Sequence, residues 1–146
     1  MARALQQALA AAAASDAEAF VEAAAQLHRL DLEQVGRVQA VMTRCLLEDS
    51  HPGGLDGEDV RAALERCVGD AAAWFPGLSG DALIAVFTSA LGMFEPDEDN
   101  QVAAATMVSH ASLVIADLAK SCGLPVEPYL DAAIEEIRRA ETMELP

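Results

Sequence analysis

Two runs without a single Asp, Glu, Lys or Arg lie almost back to back in this chain. They restrict its fold more than any other feature. The first spans Ala82 to Phe94, the second Val102 to Ala116, and the acidic turn Glu95-Pro96-Asp97-Glu98-Asp99 stands between them. Apolar residues recur at every third or fourth position, which is the helical period. A helix that is apolar all round has to be covered all round. The pattern therefore predicts a largely buried hairpin of helices near 80–94 and 98–122 at the centre of a bundle. A bilayer is not the expected cover, because the best span, Val102–Ala119, carries Thr106, Ser109, His110, Ser112 and Asp117.

The rest of the sequence supplies the wrapping. No β-rich segment occurs, and the 146 residues include 31 alanines and 17 leucines, which suits closely packed helices. Three glycine-leucine marks punctuate the chain: Gly54-Leu55-Asp56, Gly77-Leu78-Ser79 and Gly123-Leu124-Pro125. Glycine can close one helix in a left-handed conformation. The leucine then sits where it can staple onto the next helix. Asp56 and Ser79 are good N-cap types, and prolines are tolerated in a first turn. These signals predict an all-α, single-domain bundle of six or seven helices over residues 1–146. The helices are expected from about Arg3 to Ala14, then to Arg29, Leu32 to Glu48, Glu58 to Ala73, Gly80 to Phe94, a sixth ending near Cys122, and Val126 to Thr142. Residues 1–15 are expected to form a frayed or loosely packed helix. Two consecutive uncharged helices in so short a chain also point to a second subunit, most simply a two-fold homodimer.

Charge bounds the partners. Nine basic residues stand against 24 acidic ones, a net −15, and no Lys or Arg occurs from Cys67 through Ala119. Without clustered cations, direct binding to nucleic acid is not expected, and an anionic membrane surface repels the chain. A basic protein would be attracted. Asp49, Asp56, Glu58, Asp59, Glu95, Asp97, Glu98 and Asp99 form the candidate acidic face. Negative charge in a first helical turn is also what the macrodipole favours. The three cysteines, Cys45, Cys67 and Cys122, fit neither a disulfide framework nor a metal knuckle. Buried reduced thiols and a cytoplasmic setting are expected.

Catalytic motifs are missing. Ser109 and His110 are neighbours whose side chains diverge around a helix. His110 lacks the lysine that a phosphotransfer helix carries about one turn later, and it reads best as a packed histidine bonded to a backbone carbonyl or a serine. Glu48-x-x-His51 has di-iron spacing, but the motif occurs once and Pro52 pushes His51 out of the helix. Glu48 to Asp59 resembles a calcium loop of the EF-hand type in its offsets, yet Ser50 and Pro52 stand at ligand places. No metal, cofactor or catalytic residue is expected. The reading is a non-catalytic acidic protein that acts through protein–protein interaction, in an accessory, regulatory or immunity-type role. The alternative is a small-molecule binding domain with an apolar pocket among Trp74, Phe75, Phe87, Phe94, Thr106, Ser109 and His110. That version resembles the effector half of helical transcription regulators in architecture, without a DNA-binding part.

Overall fold

In a computed structural model, residues 1–93 and 102–144 are described. Among them all regular structure is helical: α1 (Ala2–Ala13), α2 (Ala17–Leu27), α3 (Leu32–Ser50), α4 (Gly57–Ala72), α5 (Gly80–Ala90), α6 (Ala104–Cys122) and α7 (Glu127–Glu144). The chain is a single helical bundle with one continuous core. No described helix is long and apolar enough to cross a membrane.

Caps fall where side-chain chemistry places them. Asp16, Asp31 and Ser79 each accept a backbone N–H from the first turn of α2, α3 and α5. Asp56 and Asp59 form a reciprocal capping box on α4, at 2.8 and 3.1 Å. Gly123 closes α6 at φ +66°, the left-handed conformation expected of it. Gly77 has a different reason to be glycine: an added Cβ would meet the Phe75 ring at 3.3 Å. Leu55, Leu78 and Leu124 all pack against the core.

Helix α6 is the axis. Every residue from Val108 to Ala116 is buried, and α1, α2, α3, α4 and α5 all pack against it. One chain therefore encloses it. Helix α5 is enclosed over most of its surface, with Ala82, Leu83, Ala85, Val86, Phe87 and Ala90 buried. Leu83, Val86 and Phe87 face the core while Ile84 is half exposed. The need for a second subunit to cover the hairpin thus shrinks to the outer side of α5. Helix α1 is docked rather than frayed, because Leu5, Ala8 and Leu9 are buried and join the main core. The acidic turn Glu95–Asp99 and Phe94 lie outside the described residues.

Candidate functional site

Of the aromatic residues expected to line a pocket, Trp74 and Phe75 pack on each other, with ring centroids at 5.9 Å. Trp74 and Phe75 end the α4 segment, and Phe20 of α2 meets both edge-on, with centroids at 5.6 and 5.4 Å. Phe75 in turn meets the His110 ring at 5.8 Å. Phe87 is buried in the core. Edge-to-face contacts of this kind fill the space between the rings, and Trp74 also borders a cleft between α1, α4 and α6.

His110 is fully occupied. Its Nδ1 lies 2.8 Å from the Thr106 carbonyl, and its Nε2 lies 2.9 Å from the Ser79 backbone N–H. The carbonyl only accepts and the N–H only donates, so the proton sits on Nδ1 and the ring is neutral. Burial holds its pKa below the ordinary histidine value, outweighing the Thr106 bond that acts in the opposite sense. Through Ser79, the ring anchors the N-cap of α5. Ser109 faces elsewhere: its hydroxyl donates to the Ala105 carbonyl at 3.1 Å and lies 3.0 Å from His28 Nε2. Among the described residues no carboxylate bonds to His28, so this contact lacks the third member that orients a catalytic base.

The described half of the acidic face is largely spent on structure. Asp56 and Asp59 cap α4. Asp49 accepts the Tyr129 hydroxyl at 2.7 Å, tying α3 to α7. That bond, with partial burial and the Asp49 charge, pushes the Tyr129 phenol up to about 12. Glu58 is exposed in the first turn of α4. Glu95, Asp97, Glu98 and Asp99 lie outside the described residues. His51 leaves the helix as Pro52 requires and, among the described residues, no group of three ligand-type side chains comes together to hold a metal ion.

Besides an open groove of about 840 Å³ between α1 and α2, two smaller concavities lie among the described helices. The first is a cleft of about 400 Å³ between α1, α4 and α6. At its edge Asp117 Oδ2 accepts from Arg66 Nε at 3.1 Å and from Cys67 Sγ at 3.2 Å. Burial, and then the Asp117 charge, raise the Cys67 thiol far above its usual range, so it offers no thiolate nucleophile near neutral pH. A hydrogen bond to Asp117 raises the Asp70 carboxyl as well. Of the other cysteines Cys45 is half-buried, while Cys122, expected to be buried, is exposed beside Ser50.

The second is a pocket of about 390 Å³ between α3, α5 and α6. Its buried floor contains Gln39, Thr43, Val86, Val108 and Ala111, and its mouth contains Glu33 and Ala104. Gly36, Ala40, Ala104 and Ala111 keep the helices apart from filling it, because small side chains leave the space between backbones open. Gln39 is 1% exposed. Its Nε2 donates to the Val108 carbonyl at 2.9 Å and to Ser112 Oγ at 3.0 Å. Since the carbonyl only accepts, the orientation of the amide is fixed. Its oxygen, Oε1, is then the one buried side-chain polar atom among the described residues that has no hydrogen-bond partner. Leaving such an acceptor bare costs about 1–3 kcal/mol.

Sequence reasoning missed this pocket because Gln39 lies among Val35, Val38 and Met42 on α3, a mark of the core rather than of a site. One signal was available: a glutamine on the apolar face of an otherwise amphipathic helix. No family model, curated protein or solved structure matches the chain.

Proposed function

We propose that this chain is a non-catalytic binding protein for a small, mostly apolar molecule held between α3, α5 and α6. The observation that carries this reading is the pocket itself. Its volume of about 390 Å³ falls within the roughly 300–1,000 Å³ of small-molecule sites. Apolar walls with a few polar groups are also the usual chemistry of such sites. The polar points differ from those expected of the sequence, being Gln39 and Thr43 rather than Thr106, Ser109 and His110. The raised Cys67 thiol and the fully bonded His110 support the non-catalytic part.

The acidic-partner reading has less to draw on. Asp49, Asp56 and Asp59 have structural duties, which leaves Glu58 as the described member without one.

The test is titration with the neutral fluorophore N-phenyl-1-naphthylamine. Saturable one-to-one binding is expected, changing little between low and high salt because no ion pair is involved. Ala40→Phe fills the pocket and should abolish the signal while the helical circular dichroism is retained. Binding that survives Ala40→Phe, or an absence of saturable binding by the wild type, overturns the proposal.

A further inference from the structure

The pocket between α3, α5 and α6 contains a built-in polar selector, and this inference rests on the pocket being a ligand site. Gln39 lines it, is almost wholly buried, and has both amide hydrogens committed to Val108 and Ser112. Thr43 is committed too, since its hydroxyl donates to the Gln39 carbonyl at 2.8 Å. Oε1 of Gln39 lacks a donor and has almost no accessible surface, so a donor from the pocket reaches it only when a neighbouring side chain yields. Among the described residues no Lys, Arg or His lines the pocket, and Glu33 at the mouth is the ionisable residue that does. Glu33 is paired with Arg37 at 2.8 Å on the exposed side of α3.

We infer that the pocket selects neutral apolar molecules bearing one hydroxyl or N–H donor, which is delivered to Gln39 Oε1, and discriminates against carboxylates. A donor supplied by the ligand satisfies an acceptor that otherwise remains bare. A ligand of the same shape without the donor leaves it bare, so the difference falls directly on affinity. A carboxylate brings two acceptors to a floor that already has one too many, and no cation is present to offset its burial. Met107, on the same wall, is half-buried. Its unbranched thioether chain can shift to admit the donor.

The experiment compares three rigid ligands of one ring size by calorimetry at pH 7: 2-naphthol, 2-methoxynaphthalene and 2-naphthoate. The wild type is expected to bind 2-naphthol about tenfold or more tighter than 2-methoxynaphthalene, a tenfold ratio being about 1.4 kcal/mol. It should bind 2-naphthoate most weakly. Gln39→Met keeps the volume and removes the acceptor, so the naphthol preference should fall below about threefold. Should Gln39→Met fail to fold, the wild-type ratio still decides. Equal binding of 2-naphthol and 2-methoxynaphthalene, or preference for the naphthoate, overturns the selector while leaving the apolar site standing. A naphthol preference that persists in folded Gln39→Met also overturns it. Failure of all three ligands to bind, together with failure of N-phenyl-1-naphthylamine, removes the site itself.

Discussion

His110 and Tyr129 show how single side chains report on the packing around them. His110 is held neutral between the Thr106 carbonyl and the Ser79 N–H, and its pKa is lowered by burial. The unfolded chain, with an ordinary histidine near 6.5, therefore takes up a proton before the folded chain does. Stability is full above about pH 6.5 and falls as the pH drops from there through the lowered folded value. Urea unfolding at pH 7.5 and 5 should show this loss. Carboxylates add an acid limb of their own at lower pH, so His110→Gln is the control: it should lower stability at pH 7.5 by about 1–3 kcal/mol and flatten the step between the two pH values. Tyr129 is the only tyrosine in the chain, so ultraviolet titration reads it alone. With the phenol donating to Asp49, its midpoint is expected at about 12. In Asp49→Asn it should move back toward the ordinary tyrosine value near 10. That His110 would be a packed, bonded residue could be read from its apolar surroundings. Its distant partner Ser79 could not, because a contact between two helices leaves no trace in local spacing.

Helix boundaries were most legible where a capping side chain fixed them. Asp16, Asp31, Asp56 and Ser79 start α2, α3, α4 and α5, and each stands out in the sequence as a short polar residue ahead of an apolar period. The box on α4 is the strongest of these, since each aspartate satisfies the other's backbone N–H. Asp56→Ala should cost about 1 kcal/mol, and Asp56→Asn much less, as measured by thermal or urea unfolding at pH 7. Were Asp56 chiefly a partner contact, both variants would leave stability unchanged. The N-terminal helix was harder to judge. Its alanine run carries no cap, and Asp16 belongs to the next helix, so the sequence suggested fraying. Tertiary burial of Leu5, Ala8 and Leu9 overrides that weak local signal, because most helix stability in proteins comes from packing. The pocket escaped notice for a related reason. Gln39, Thr43 and Ser112 each resemble a tolerated polar residue in a helix; Gln39 and Thr43 are neighbours on α3, and only the crossing of α3 and α6 brings Ser112 to Gln39.

A central hairpin was legible from charge alone, but what covers it was not. The uncharged stretch of α6 needs burial on every side, and spacing alone does not tell whether that cover comes from the same chain or from another. Five helices of the same chain supply it. The large apolar side chains left exposed among the described residues are few: Met1, Val21, Val68, Ile84, Met93 and Met143. They are distributed over the N-terminus, α2, α4, α5, the stretch after α5, and α7, and isolated exposed apolar residues are ordinary on monomers. A net charge of −15 adds repulsion between copies. Sedimentation velocity should therefore give the mass of one chain, in 0.5 M salt as well as at low ionic strength. High salt is the stringent condition, since it screens the repulsion and leaves any apolar attraction in place. A salt-induced dimer would show that charge alone keeps the copies apart. Ile84→Glu, on the exposed side of α5, would then be expected to dissolve it with little effect on the fold. Amide exchange gives the matching internal readout: Val108 to Ala116 should exchange last, at the free energy of global unfolding, because exposing that segment requires opening the helices around it.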